Sequence, residues 1–275
     1  MAERSLNNLL APTSDTEALW EVFHENSKNF RASLALSTLS GEETQARMQE
    51  FHEGLPYPAY PTIGLPAPAP LSMPLEDAIV RRRSERSLRS GELSWSQLAS
   101  LLHHSYGMVR DNSFVPYPPR TRAVPSAGAL YPLEIYLHGT AIQGLGSGLY
   151  HYFPKDGVLH VLDERDRSAQ IAAATIYPQY VAGASLVVFV TALFERSTWK
   201  YGDRGYRYTL LEAGHLAQNI DLVATALGLS SFNLGGYYDR EIDDLLGIDG
   251  VTHSTLYMIC IGRAEGTPVG APTAP

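Results

Sequence analysis

Lys200 and Tyr201 stand side by side in the run Ser197-Thr198-Trp199-Lys200-Tyr201-Gly202-Asp203-Arg204-Gly205-Tyr206-Arg207-Tyr208. A lysine amine becomes a usable base once its surroundings lower its pKa from ~10.4, and a neighbouring phenol can orient it or share the proton. The competing reading is a basic, aromatic loop whose cations pair with the chain's excess carboxylates. Four further segments suit an anionic, planar, redox-active ligand. Arg82, Ser84 and Arg86 alternate over five residues; guanidinium forks match phosphate oxygens and a serine hydroxyl adds a bond. Pro125-Ser126-Ala127-Gly128-Ala129-Leu130-Tyr131-Pro132 is a turn of small residues that lets backbone approach a flat ring. Asn233-Leu234-Gly235-Gly236-Tyr237-Tyr238 offers glycine amides to a ring edge, and Gly262-Arg263 adds a second phosphate cation. Each of these also has a plain structural reading, as a solvated basic stretch or an ordinary loop.

The surrounding elements follow from pattern. Ser14 and Glu17 form a capping box for a helix over 14–36, with Leu19, Val22 and Phe23 on one face. Prolines at 56, 58, 61, 66, 68, 70 and 74 predict an extended connector rather than a helix or central strand. A short helix carries Leu75, Ala78 and Ile79 into the arginine run, and Ser94 with Gln97 caps a helix ending near Gly107. Leu133, Ile135 and Leu137 alternate as in a strand, 148–153 and 158–162 pair as a hairpin, and 171–181 reads as helix. Leu186 to Phe194 reads as a fully buried strand, Thr209 to Leu227 as a long helix apolar on more than one side, and Thr255 to Ile261 as a last strand. Helices and strands without a strict βαβ repeat favour α+β.

Composition excludes several classes. The chain has 275 residues, 44% hydrophobic, with a net charge of -8, which argues against nucleic acid. No run is long enough to span a bilayer and the start lacks a secretory pattern, so a soluble cytoplasmic protein is expected. Cys260 lies in an apolar run and reads as packing. Gly144-Leu145-Gly146-Ser147-Gly148 lacks the dinucleotide offset, and there is no Walker loop, GxSxG or HExxH. His103-His104 are adjacent and chelate poorly, so no metal is expected; Asp243 and Asp244 read as the solvated face of a helix.

Taken in order, Arg82-Arg83-Ser84-Glu85-Arg86, the 125–132 turn, Gly148-Leu149-Tyr150-His151-Tyr152, the block Trp199 to Gly228 and Gly235-Gly236-Tyr237 resemble the nitroreductase-like flavoprotein superfamily, in particular its SagB-type branch of azoline oxidases. The resemblance covers roughly 70–265. Glu212-Ala213-Gly214-His215-Leu216-Ala217-Gln218-Asn219 and Trp20 to Lys28 are also similar to that branch.

The resemblance implies an α+β fold with a mainly antiparallel central sheet flanked by helices, and a homodimer holding FMN at its interface. It divides the chain into an N-terminal helical and proline-rich arm (1–73), an FMN-binding oxidase domain (74–265) and a C-terminal tail (266–275). Arg82 and Arg86 would meet the flavin phosphate and ring edge, Ser84 the ribityl or phosphate, and Ser126 would lie beside the flavin. Gly235 and Gly236 would bring amides near the ring and Arg263 would meet the phosphate. Lys200-Tyr201 matches the branch's catalytic pair. The implied reaction takes a thiazoline or oxazoline to the aromatic azole, one hydrogen leaving as a proton to Lys200 and the other to the flavin, with oxygen as final acceptor. The substrate would be a peptide or carrier-bound azoline, recruited by a cyclodehydratase partner. The alternatives are a general NAD(P)H-dependent nitro or quinone reductase, which needs no carbon acid deprotonated, and a non-catalytic scaffold subunit of a synthetase.

Overall fold

The computed structural model describes residues 18–29, 41–112 and 120–264. The helices are α1 (Leu19–Asn26), α2 (Gly41–His52), α3 (Leu75–Arg81), α4 (Trp95–Tyr106), α5 (Ser168–Ala173), α6 (Pro178–Ala182), α7 (Glu195–Tyr201), α8 (Asp203–Ala226) and α9 (Asp239–Leu246). The strands are β1 (Thr62–Gly64), β2 (Leu88–Arg89), β3 (Met108–Asp111), β4 (Arg120–Arg122), β5 (Leu133–Gly139), β6 (Gly148–Phe153), β7 (Val158–Asp163), β8 (Leu186–Leu193), β9 (Ser230–Leu234) and β10 (His253–Ala264). The chain divides into two compact units, Met1–Leu36 and Ser37–Pro275. In the first, α1 buries none of its residues, and Trp20 is exposed. The proposed cap at Ser14 and Glu17 lies outside the described residues.

The second unit is built on a sheet of order β1-β7-β6-β5-β8-β10-β2, with β9 also paired to β10. Its neighbours run antiparallel throughout, as expected for the α+β class. Centrality explains β8: Leu-Val-Val-Phe-Val-Thr-Ala-Leu is β-branched, hydrogen-bonded on both edges, and buried on both faces. On one face Leu133, Ile135, Leu137, Val188 and Val190 pack with α4 and with Leu216, Ile220 and Ala224 of α8. Tyr136, Val187, Phe189, Met258 and Cys260 point the other way, into a cluster with Ile171 of α5, Val181 of α6 and Ile242 of α9. Each fully buried Leu, Ile or Val contributes roughly 1.5–3 kcal/mol, so both layers are needed to hold so apolar a sheet. No helix among the described residues is long and apolar enough to cross a membrane.

Several elements differ from expectation. The proline-rich stretch supplies β1, at the sheet's edge, where proline is tolerated; it pairs with β7, and the Pro61 carbonyl accepts the Val161 N–H. Farther along, Ala69 is bonded to Ser100 and His104 of α4, which gives that histidine a partner. Residues 171–181 form two helices, because Tyr177 precedes Pro178 and is driven out of the helical region, and Thr175 bridges to Tyr237. The long helix begins at Asp203, six residues earlier than its apolar pattern, and the Lys200-Tyr201 segment is itself helical. Gly202, at φ 55 and ψ -145, makes the break between the two helices, a backbone conformation open essentially to glycine alone. Asp244 is exposed, but Asp243 is buried: its carboxylate accepts the Thr255 amide at 2.8 Å and the Ser254 hydroxyl at 2.8 Å, pinning α9 to β10.

Candidate active site

The 125–132 turn forms the floor of the site. Gly128 has φ +63, and Ala129 and Tyr131 have φ of 55 and 45. Left-handed backbone at residues with a side chain costs about 1–3 kcal/mol each and persists only where surroundings impose it. Here the Tyr131 amide donates to Ser126 Oγ at 2.9 Å, and Arg196 Nη1 donates to the Tyr131 carbonyl at 3.2 Å. The Tyr131 hydroxyl accepts the Arg122 amide at 3.1 Å, and the ring is buried.

Helix α7 delivers the Lys-Tyr pair to this turn. A Cβ built on Gly128 would lie 2.5 Å from Tyr201 Oη and 3.2 Å from Lys200 Nζ, so a side chain at 128 would push the pair aside, and the positive φ favours glycine. Lys200 Nζ also lies 3.8 Å from Met48 Sδ of α2 and 5.6 Å from the centre of the Tyr201 ring. Burial, and then Tyr208 packed edge-on at 5.1 Å, push the Tyr201 phenol above its ordinary value. It therefore stays protonated at neutral pH and offers a donor.

What anchors α7 is a buried ion pair. Arg196, one turn before Lys200, donates to Glu134 at 2.5 Å; both are almost fully buried. Glu134 also accepts the Leu55 amide at 2.9 Å and bonds His151 Nε2 at 2.7 Å. Burial alone would raise the Glu134 carboxyl, but Arg196, His151 and Arg122 overcome it and hold it well below the usual range. On the other side of the turn Glu212 of α8 is buried beside Ser126, Tyr106 and Arg122. Sequence reading did not single out Arg122, Glu134 or Arg196. The available signal was a lone carboxylate inside the apolar strand Leu133-Glu134-Ile135-Tyr136-Leu137.

The cationic residues gather elsewhere along α8. Ser84 bridges to Ser231 of β9, and the Glu85 amide donates to the Ser231 carbonyl at 2.9 Å. This lays the 82–86 segment beside β9. The Arg86 guanidinium lies 5.4 Å from the centre of the Phe232 ring. Arg82 acts on the buried Asp221 of α8, whose pKa burial raises while Ser231, Asn233 and Arg82 oppose. Asp221 accepts the Ser231 hydroxyl at 2.7 Å and the Asn233 amide at 2.8 Å, leaving Asn233 Oδ1 buried and without a partner. Gly235 follows at the end of β9, exposed near Tyr257, and the Gly236 carbonyl is taken by the Ile176 amide.

Arg263 sits one residue past Gly262, which pairs with Ser230, so it lies at the same end of the sheet as Ser84. Its side chain covers Gly91 and donates to the Glu92 carbonyl at 3.2 Å. Thus Ser126, Lys200 and Tyr201 converge, and Arg82, Ser84 and Arg86 gather beside β9, at whose far end Gly235 lies. The nine-residue step along α8 from Glu212 to Asp221 separates the two groups by roughly 14 Å along the helix axis.

Known proteins share this fold. The model of the nitroreductase family matches residues 79–263. A nitroreductase-family protein of Methanocaldococcus jannaschii is 39% identical over 175 residues, 63% of this chain and 84% of the relative. The microcin B17-processing protein McbC of Escherichia coli is 30% identical over 152 residues, 51% of this chain; the chain spans only 54% of McbC's length. Among solved structures, a nitroreductase-type protein of Anabaena variabilis superposes with a TM-score of 0.73 at 24% identity, over 93% of this chain and 49% of the other. The Escherichia coli microcin synthetase McbBCD complex, with truncated pro-MccB17 bound, superposes at 0.56 and 22% identity, over 90% of this chain and 92% of the matched one. A nitroreductase-fold structure from Exiguobacterium sibiricum, at 0.51 and 14% identity over 75% of this chain and 94% of the other, is a complex with FMN. The shared fold and the family match over 79–263 lead to one conclusion: this chain belongs to the nitroreductase family.

Proposed function

We propose that the protein is an FMN-dependent oxidase that aromatises azoline rings, thiazoline or oxazoline, in the biosynthesis of a peptide natural product. The observation that carries the reading is the convergence of Lys200 Nζ and Tyr201 Oη on the backbone of Gly128. Reduction of a nitro group needs no base beside it, whereas aromatisation must remove a proton from carbon. The likeness to McbC, a microcin-processing protein, and to a synthetase complex holding a propeptide supports a peptide substrate and a cyclodehydratase partner.

The residues present fit a flavin mononucleotide. Arg82 and Arg86 make no ion pair among the described residues, which leaves their charge for a phosphate or for the ring edge. Ser84 is exposed between them, Arg263 lies at the same sheet end, and Asn233 Oδ1 is a buried acceptor lacking a donor. Gly235 and Gly236 leave room for backbone near a ring edge. The oxidase domain would span 74–265, and a second copy of the chain would bring its Ser126 turn to this group across the interface. When bound, FMN supplies the two-electron acceptor.

The chain's own residues do the rest. The turn at Gly128 seats the Lys200 amine and the Tyr201 hydroxyl, and the azoline lies against that pair. Lys200 takes the ring proton through its amine and holds it as ammonium. Tyr201, neutral at working pH, donates to the ring heteroatom or orients the amine. The half-buried setting of the pair limits water, so the proton is passed to a fixed partner rather than to bulk solvent.

The test is an azoline-bearing peptide incubated with purified, flavin-loaded protein in air. Loss of the mass of two hydrogens per ring is the expected product. Lys200→Ala should keep its flavin and lose about 10²–10⁴-fold in rate, the usual share of a general base. Tyr201→Phe should lose less if the phenol orients rather than accepts. Unchanged oxidation by flavin-loaded Lys200→Ala, or rapid bleaching of the flavin by NADPH, would favour a general reductase instead.

A further inference from the structure

The chemistry above leaves one buried acid unused. Tyr208 and Glu212 lie one turn apart on α8 and share a face. Tyr208 packs against Tyr201, and Glu212, 2% exposed, lies under the 126–131 turn. Polar or charged groups from four elements act on Glu212. These are Ser126 and Tyr131 from the turn, Tyr106 from α4, Arg122 from β4 and Arg196 from α7. Yet Glu212 Oε1 has no hydrogen-bond partner, and Arg122 Nε and Nη1 are buried without one.

An ionised carboxylate so placed is costly, whereas a neutral acid is less so. The two forms also bond differently. A carboxylate only accepts; a carboxylic acid donates as well. Ser126 Oγ already accepts the Tyr131 amide, and its one O–H is free to donate. A carboxylate at 212 takes that O–H; a neutral acid competes by donating to Oγ itself. The protonation of Glu212 therefore changes the hydrogen bonding of the residue that caps the Ala127–Ala129 turn.

We propose that Glu212 is a positioning residue for the Lys200-Tyr201 pair, acting through Ser126 to set the conformation of the 126–131 turn and so the seat of Gly128 against Tyr201 Oη and Lys200 Nζ. The catalytic meaning rests on the azoline-oxidase reading; the mechanical link does not. Burial pushes the Glu212 carboxyl up to about 8, against the pull of Ser126, Arg122, Tyr106 and Arg196, so the seat changes around that pH.

The link is read by NMR on flavin-loaded protein labelled at glycine nitrogen. The Gly128 amide should titrate with a midpoint near 8 in the wild type and stay flat in Glu212→Gln. The same variant should lose the corresponding inflection in its pH–rate profile. Its kcat should fall by up to roughly 10²-fold with KM unchanged, since small misplacements of reacting groups cost that much. If Glu212→Gln does not fold, Ser126→Ala carries the test: losing the hydroxyl that favours the carboxylate should raise the Gly128 midpoint. A Gly128 signal that does not move around pH 8, one that titrates alike in Glu212→Gln, or an unchanged midpoint in Ser126→Ala overturns the proposal. Normal turnover by Lys200→Ala beside a titrating Gly128 would remove the catalytic reading and leave the mechanical link standing.

Discussion

Lys200 and Tyr201 illustrate how little a side chain determines alone. Their partners are a glycine in the left-handed region and a phenol kept neutral by burial. Single residues also set the pH response. Folding raises the Glu212 carboxyl from 4.5 to about 8. Below 4.5 both folded and unfolded chains hold that proton. Above it only the folded chain does, so stability falls as pH rises and the full cost is present above about 8. His253 acts in the opposite sense: burial lowers it from 6.5 to about 4, so stability is lost as pH falls through that window. Thermal melts should therefore show a falling Tm between 6.5 and 8, flattened in Glu212→Gln. At the other site, Arg82→Ala with Arg263→Ala should strip the flavin, since charge-assisted bonds contribute roughly 1.5–3 kcal/mol each. Full flavin retention, read by absorbance after gel filtration, would remove these arginines from the phosphate site.

At the scale of elements, α7 matters most. It is seven residues long, too short to be stable alone, and it carries the Lys200-Tyr201 pair to which the proposed chemistry is assigned. Its position comes from the Arg196–Glu134 pair to β5 and from packing on α8, against which it turns at Gly202. Glu134→Ala leaves the Arg196 charge buried and unpaired, along with the Leu55 amide and His151. Removing one partner of such a pair costs about 3–5 kcal/mol. Chemical denaturation should show that loss, and Glu134→Leu with Arg196→Met should recover most of it by packing. A loss within error of zero for Glu134→Ala would show that other contacts seat α7.

For the whole molecule, the open question is the second copy. The cationic group and the Lys-Tyr pair lie at opposite parts of α8, and Leu210 and Leu211 on that helix are 41% and 60% exposed. Helix α3, packed beside α8, exposes Leu75, Ile79 and Val80. Apolar side chains left in water on neighbouring helices mark an interface. Light scattering should find a dimer at micromolar concentration, and Leu211→Glu with Val80→Glu should dissociate it and release flavin. A flavin-loaded monomer of the wild type would contradict the shared-site arrangement.

Local signals were enough for much of this. The capping box at Ser94 and Gln97, the alternation of Leu133, Ile135 and Leu137, and the β-branched run at 186–193 are short-range patterns, and the structure keeps all three. The order of arginines, small-residue turn and Lys-Tyr pair likewise pointed to the nitroreductase family. The sequence by itself therefore determined the class of fold and the family, because periodicity and capping act over a few residues and motif order is read along the chain. Tertiary structure decided the rest. It made a proline-rich stretch into an edge strand by offering β7's open hydrogen bonds. It turned an apparent loop into α7 by supplying a buried anchor 62 residues away. It buried Glu134 and Glu212, and it buried Asp243, which reads as part of a solvated face, because burial depends on what the rest of the chain packs over a position. No local pattern encodes that: burial raises the Glu212 carboxyl, and the same interior sets Arg196 against Glu134 so that the pair holds α7.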